Sequence, residues 1–149
     1  MKIRQFERED LHALLAIQNK TPHASRWTQA DYLRLAFAPG GLVLVVELET
    51  MTPPKILGFA AFQRLIDEAE LRNIAVDPEH QQLGAGKALL EDARRRLVQV
   101  GTKRLFLEVR QSNQAALRLY HSAGFQLHST RKEYYREPTE DANVLSLEL

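Results

Sequence analysis

The sequence contains no cysteine, and this absence excludes several kinds of protein chemistry. A disulfide-stabilised fold, a thiolate zinc site, an iron–sulfur cluster and a cysteine nucleophile all require that residue. Long hydrophobic runs are also missing, because the longest apolar stretch, Leu42–Val46, is far too short to span a membrane. The amino-terminal segment Met1–Asp10 is too charged for a signal peptide. We therefore expect a soluble, cytoplasmic protein with no membrane partner.

Neither sign of charge dominates, since 20 Lys and Arg residues stand against 19 Asp and Glu residues, a formal net charge of +1. Such a chain has no overall field with which to hold nucleic acid, so any anion site must be local. The basic run Arg94–Arg96 follows Glu91 and Asp92 at helical spacing, which is typical of a solvated, ion-paired helix face. The five histidines lack metal-ligand spacing. We predict no direct nucleic-acid binding and no metal.

The length of 149 residues and a hydrophobic fraction of 44% predict one compact globular domain over residues 1–149. Hydrophobic periodicity and turn residues predict an α/β fold, in which a mixed, mostly antiparallel sheet has helices on both faces. Leu71–Arg110 is a βαβ unit whose two strands are parallel or nearly so. The predicted strands are Lys2–Phe6, Gly41–Leu48, Ile56–Leu65, Leu71–Val76, Arg104–Val109, Gln126–Arg136 and Val144–Leu149, and the predicted helices are Glu7–Lys20, a segment after Thr28 that stops near Pro39, Gly84–Val100 and Asn113–Ala123.

Two glycines, Gly84 and Gly86, lie between a predicted strand and the start of a long helix. Glycines at a helix amino terminus let backbone N–H groups approach a phosphate, and the helix dipole favours the negative charge. A tight turn without any ligand would have the same two glycines. A nucleotide P-loop is excluded because Gln81 and Ala88 occupy its obligatory positions, and a dinucleotide fingerprint is excluded because Leu89 replaces its third glycine.

The glycine segment resembles the Gln/Arg-x-x-Gly-x-Gly/Ala signature of the GNAT superfamily of acetyltransferases, which Gln81, Gly84 and Gly86 match. The run Leu107–Phe125 is similar to the second signature of that superfamily. The resemblance implies a GNAT fold with a central βαβ coenzyme-binding unit and acetyl-CoA as cosubstrate. It assigns to the coenzyme Ile74, Ala75 and Val76 along the pantetheine arm, Gln81, Gln82, Leu83, Gly84, Ala85, Gly86 and Lys87 around the pyrophosphate, and Asn113. Asn113 also suits a helix N-cap, and the two roles are compatible.

A narrower resemblance is to the ribosomal-protein-alanine N-acetyltransferases (RimI type), which Asp67–Pro78, Trp27-Thr28 and Arg131–Tyr135 share. This resemblance implies acetyl transfer to the N-terminal α-amine of a protein, with a ribosomal protein as partner. Gln82 and Leu83 stand where such enzymes commonly carry basic or glycine residues, so charge beside the phosphates is reduced. The glycine signature also fits acetylation of a small-molecule amine or a lysine side chain, or a non-catalytic acyl-CoA-binding module.

Acetyl transfer requires a neutral amine, and an α-amine with a pKa of about 7.8 needs little assistance at neutral pH. A carboxylate that accepts its proton is therefore a sufficient base. Glu108 interrupts an apolar strand, where it is either this base or a partnered structural carboxylate; the resemblance assigns it as the base. The same resemblance assigns Tyr120 as the acid, although its helical spacing also suits a packing residue. Trp27, Tyr134 and Tyr135 are either core aromatics or, by resemblance, residues near the acceptor groove.

Overall fold

The computed structural model describes residues 1–149, which form one seven-stranded sheet and four α-helices. The strands are β1 (Lys2–Gln5), β2 (Gly41–Leu48), β3 (Lys55–Leu65), β4 (Glu68–Val76), β5 (Arg104–Arg110), β6 (Gln126–Tyr135) and β7 (Glu140–Glu148), and the helices are α1 (Leu11–Asn19), α2 (Gln29–Ala36), α3 (Ala85–Gln99) and α4 (Gln114–Ser122). No helix combines the length and the apolar character that crossing a membrane requires.

The sheet has the strand order β1-β2-β3-β4-β5-β7-β6, and every neighbouring pair except β4 and β5 is antiparallel. The parallel pair is joined by α3, which confirms the predicted βαβ unit. Pairing between β4 and β5 is limited to Glu68–Glu70 opposite Arg104–Phe106. Both strands continue beyond this point without pairing each other, so the sheet opens into a V-shaped gap between them.

Helices cover both faces of the sheet, as predicted. Alternate residues of a strand point to opposite faces, and β2 accordingly divides its side chains between two clusters. Val43 and Val45 pack with α1 and α2, including Tyr32, whereas Leu44 and Val46 pack with α3 and α4. The buried stripe of α3 recurs every three or four residues, and full burial of each leucine contributes roughly 1.5–3 kcal/mol. Its members are Ala85, Leu89, Leu90, Ala93 and Leu97.

Several predicted boundaries were wrong. The first helix starts with a 3₁₀ turn at Arg8–Asp10, closed by reciprocal capping between Glu7 and Asp10. β4 begins at Glu68 rather than Leu71, and β7 begins at Glu140 rather than Val144. These polar strand starts pair with neighbouring strands, and pairing overrides their weak local β-propensity.

Candidate active site

A cavity of about 590 Å³ lies beside the carboxyl end of β4. It is bounded by β4, the glycine turn before α3, the start of α4 and the segment between α1 and α2. Eight residues predicted to bind the coenzyme line it: Ile74, Ala75, Val76, Gln81, Gly84, Gly86, Lys87 and Asn113. The other three do not, since Gln82 and Leu83 are exposed outside the cavity and Ala85 is buried in the core. We call this cavity the coenzyme cleft.

The glycine turn begins with a 3₁₀ segment, Pro78–Leu83, that the sequence did not predict. Gly84 ends it with a φ of +77°, a left-handed conformation that glycine adopts without steric cost. Gly86 lies in the first turn of α3, where a Cβ would be 3.2 Å from a side-chain carbon of Leu119 on α4. The missing side chain therefore keeps space open between α3 and α4 at the cleft.

Asn113 is the N-cap of α4, because its Oδ1 accepts the backbone N–H of Ala116 at 3.2 Å. The same residue lines the coenzyme cleft. The predicted helix-capping role is confirmed. Because the cap fixes the Asn113 side chain, its amide nitrogen is held in place at the cleft wall.

The wall formed by Lys20–Ala24 was missed by sequence reasoning. Arg26 holds this segment by donating hydrogen bonds to the carbonyl oxygens of Thr21 and Ala24. The Lys20 ammonium lies 3.5 Å from the buried Asp77 carboxylate at the end of β4. The contact between Lys20 and Asp77 joins residues distant in the chain, and no local pattern indicated it.

A buried polar network connects this wall to β4. The hydroxyl of Tyr32 donates to Gln18 Oε1 and accepts from Asn73 Nδ2, at 3.1 Å for the second bond. Asn73 Oδ1 accepts the Ser25 N–H at 2.9 Å, which pins the segment between α1 and α2 beside Ile74–Val76. Burial raises the pKa of Tyr32, so its hydroxyl remains a proton donor.

Trp27 packs against the same network. Its ring centre lies 5.0 Å from that of Tyr32, and its carbonyl accepts a hydrogen bond from Gln18 at 2.9 Å. The structure thus favours the packing interpretation of Trp27, at the border of the cluster beneath α1 and α2. Trp27 does not line the coenzyme cleft.

A second cavity of about 520 Å³ lies on the sheet between β4, β5, β6 and the β3–β4 turn. Glu108 projects into it, opposite Val144 in the β5–β7 register. Arg131 Nη1 donates a hydrogen bond of 2.7 Å to Glu108 Oε1, and the Arg131 guanidinium lies 4.4 Å from the ring centre of Tyr134. The neighbouring Glu108 carboxylate raises the pKa of Tyr134. We call this cavity the carboxylate groove.

Tyr120 lines neither cavity and packs in the core on the α3 side of the sheet, the face opposite Glu108. Tyr120 is only 5% exposed, and its ring centre lies 5.7 Å from that of Phe125. Burial, and then the adjacent Tyr135 hydroxyl, raise the pKa of Tyr120. Burial, followed by the Glu108 carboxylate, raises the pKa of Tyr135 to about 12. Tyr135 therefore lies within electrostatic range of both Glu108 and Tyr120.

The ion pairs of α3 bear on the prediction about nucleic acid. On α3, Arg94 pairs with Glu91, while Arg95 and Arg96 share Asp92, so the basic run is ion-paired on its own helix as predicted. Glu91 pairs with Arg94, three residues later, rather than with Arg95, four residues later.

Ligand atoms of Asp77, Glu79 and His80 lie within 4.8 Å of one another, a grouping that the sequence spacing did not indicate. Burial alone would raise the pKa of Asp77, but the Glu79 N–H bond and the Lys20 ammonium lower it instead. The Asp77 carboxylate is thus already balanced by protein groups.

Comparison with known proteins agrees with these features. Residues 7–125 match the acetyltransferase (GNAT) family. The [ribosomal protein bS18]-alanine N-acetyltransferase of Escherichia coli is 37% identical over 97% of this chain and 95% of that protein. The crystal structure of the Escherichia coli ribosomal-protein-S18-alanine N-acetyltransferase superposes with a TM-score of 0.84 at 35% identity, covering 99% of this chain and 92% of that chain.

The fold is shared more widely. An acetyltransferase structure from Salmonella typhimurium with its cofactor acetyl-CoA has a TM-score of 0.82 at 24% identity, covering 100% of this chain and 94% of that chain. The family match, the full-length similarity and the gap between β4 and β5 lead to one assignment. The chain belongs to the GNAT acetyltransferase family and is an acetyl-CoA-dependent N-acetyltransferase.

Proposed function

We propose that residues 1–149 act as one domain that acetylates the N-terminal α-amine of a protein, specifically the alanine of ribosomal protein bS18. The names of relatives at 37% identity support this acceptor. The observation that carries the proposal is the V-shaped gap, because Ile74–Val76 of the coenzyme cleft border it on β4 and Glu108 of the carboxylate groove borders it on β5. An acetyl donor in the first and an amine in the second would meet there.

The coenzyme cleft suits acetyl-CoA. Ile74–Val76 pair with β3 on one side, and their edge towards β5 is unpaired, so this edge offers hydrogen bonds to the amides of an extended pantetheine arm, in the manner of an added strand. The amino terminus of α3 and the Lys87 ammonium offer positive charge to the pyrophosphate. Space for that group is kept by Gly86, where a Cβ would crowd Leu119. Gln82 and Leu83 lie outside the cavity, so affinity depends on backbone groups more than on these side chains.

Acetyl-CoA supplies an activated thioester, and the residues of this chain move the protons. Glu108 accepts the proton of the amine, directly or through one water. Tyr120 donates a proton to the departing sulfur. Burial keeps Tyr120 protonated at every working pH, but it also makes proton donation more uphill than for a free phenol with a pKa near 10. Donation therefore depends on negative charge that develops on the sulfur in the transition state.

Tyr134 and Tyr135 border the Glu108 carboxylate in this proposal and shape the entrance for the acceptor amine. Trp27 holds the segment between α1 and α2 by packing on Tyr32. The reaction calls for no metal, because an α-amine is sufficiently nucleophilic once deprotonated. A ribosomal acceptor places the enzyme in the cytoplasm, and the ion-paired arginines of α3 argue against direct nucleic-acid binding.

Mass spectrometry of candidate acceptors after incubation with acetyl-CoA tests the proposal. The acceptors are an alanine-initiated peptide, the same peptide with a blocked terminus and one internal lysine, and a small diamine. We expect acetylation of the alanine-initiated peptide alone, and its loss in Glu108→Gln. Preference for the lysine or the diamine would instead assign the second type of acceptor. Binding of acetyl-CoA without transfer to any amine would identify a non-catalytic module.

A further inference from the structure

The turn between β3 and β4 presents two large apolar side chains to solvent. Leu65 pairs with Glu68, so only Ile66 and Asp67 form the turn. Leu65 is 75% exposed and Ile66 is 82% exposed, more than any other large hydrophobic residue of the chain. Burial of such side chains is favourable, and exposed neighbours of this kind are typical of interaction surfaces.

The backbone at this turn makes the presence of isoleucine unusual. Ile66 has a φ of +60°, which a two-residue hairpin turn of this kind ordinarily assigns to glycine. A β-branched residue is strained in that conformation. The turn is nevertheless well held, because Arg64 donates to the Ile66 carbonyl at 3.0 Å and the Lys103 N–H donates to the Asp67 carbonyl at 2.7 Å. The chain thus has an isoleucine at a position where the backbone conformation favours glycine.

The turn borders the carboxylate groove. Leu65, Glu68 and Glu70 line the same cavity as Glu108. The one arginine of that cavity, Arg131, is paired with Glu108, and no ion pair involves Glu68 or Glu70. Burial raises the pKa of Glu70, the Arg72 guanidinium opposes this rise, and the Glu108 carboxylate adds to it. The groove therefore has excess negative charge between Glu108, the proposed base, and the apolar side chains of Leu65 and Ile66.

The strand register gives the spacing along the groove. Glu70 lies opposite Phe106, two residues from Glu108 along β5, and Glu68 lies opposite Arg104, four residues from Glu108. At about 3.3 Å per residue these levels are roughly 7 Å and 13 Å from the base. An extended peptide whose amine is at Glu108 would reach Glu70 with its second or third residue and the turn with its fourth or fifth.

We propose that Leu65 and Ile66 form a docking tip for the N-terminal segment of the acceptor protein, with Glu68 and Glu70 beside it. The preferred segment has a basic second or third residue and an apolar fourth or fifth residue. This inference rests on the proposed function, since it takes the amine of the acceptor to lie at Glu108.

The test compares Ile66→Gly, Leu65→Ser and the double variant with the parent protein. Glycine suits the φ of Ile66, so Ile66→Gly removes the side chain without a lower melting temperature. Met51→Ser is the matched control, because it removes an exposed apolar side chain from the loop at the other end of β3. Two fluorescent alanine-initiated peptides serve as probes, one with arginine third and leucine fourth and fifth, the other with serine at the last two positions. Their dissociation constants are measured by anisotropy with CoA present.

We expect the parent and Met51→Ser to bind the leucine peptide about tenfold more tightly than the serine peptide, and the double variant to bind both equally. Three results would overturn the docking tip. The double variant could still discriminate between the peptides, Met51→Ser could lose as much discrimination as the double variant, or the parent could bind both peptides equally. Binding to anionic vesicles that depends on Leu65 and Ile66, without peptide discrimination, assigns the tip to a membrane and also overturns it. Because binding is measured without turnover, absence of acetyl transfer would defeat only the proposed function.

Discussion

The guanidinium of Arg131 on β6 lies 2.7 Å from the carboxylate of Glu108 on β5, so this ion pair bridges across β7. The contact fixes the proposed base from a strand that is otherwise exposed along most of its length. Arg131 also covers the ring of Tyr134 at 4.4 Å. One arginine thus positions two groups of the carboxylate groove.

Replacing Arg131 with glutamine should have a modest effect. Ion pairs of this exposure contribute about 1 kcal/mol or less, which corresponds to roughly a fivefold change in rate. Single-turnover rates with saturating acetyl-CoA measure the change, and Lys132→Gln, next to it on β6, is the control. A loss near that expected for removing Glu108 itself would make Arg131 part of the chemistry rather than a positioning residue.

Glu108→Gln should reduce turnover by about 10²–10⁴-fold, the usual contribution of a general base. The loss should be largest at low pH, where most of the amine is protonated, and partly recovered at higher pH. A loss of equal size at every pH would point to a structural role for Glu108.

The same variant should change the titration of Tyr134. The Glu108 carboxylate favours the protonated phenol and so raises the pKa of Tyr134. Removing the charge lowers that pKa, and tyrosinate should appear at lower pH in Glu108→Gln than in the parent. Ultraviolet titration measures the difference, with Tyr134→Phe identifying the signal. Identical titration curves for the parent and Glu108→Gln would show that the Glu108 carboxylate does not affect the pKa of Tyr134.

Gly86→Val should abolish thermal protection by CoA. The valine side chain would occupy the space beside Leu119, between the amino terminus of α3 and the ligand. In the parent, CoA at 100 times its dissociation constant should add about 2.7 kcal/mol, whereas NAD and ATP should add nothing. Gly86→Ala should show an intermediate loss. Full protection of the valine variant would remove the glycine turn from the coenzyme site.

Tyr120→Phe should lower the single-turnover rate by about 10²–10⁴-fold while leaving CoA affinity nearly unchanged. The ring keeps its packing against Phe125, so the melting temperature should not fall. A chemical step close to the parent rate would return Tyr120 to a packing role alone.

Tyr32→Phe should destabilise the protein. It leaves Gln18 Oε1 without its buried donor, at a cost of about 1–3 kcal/mol before relaxation, whereas Asn73 Nδ2 keeps its 3.4 Å hydrogen bond to the Ser25 carbonyl. For a chain of this size each kcal/mol lowers the melting temperature by about 2–4 °C. Hydrogen exchange at the Ser25 amide should accelerate, and Tyr134→Phe, with an exposed ring, is the control. An unchanged melting temperature would show that the network contributes little.

Local patterns predicted most of the fold, and the family resemblance assigned one wall of the site. The strand, glycine turn and helix around Gly84 and Gly86 are contiguous, so spacing and turn chemistry located them. The opposite wall at Lys20–Ala24 depends on Arg26 and on the distant Asn73, and no sequence period encodes such contacts. The pairing of Arg131 with Glu108 likewise depends on strand order, which places β7 between β5 and β6.

The acceptor is tested most directly with unacetylated ribosomal protein bS18. Purified bS18 is incubated with this enzyme and acetyl-CoA, and fragment-ion mass spectrometry locates the added group. We expect one acetyl group on the α-nitrogen of the N-terminal alanine, added about 10²–10⁴-fold more slowly by Glu108→Gln. Acetylation confined to lysine side chains, or no acetylation while CoA still protects the enzyme thermally, would contradict the account.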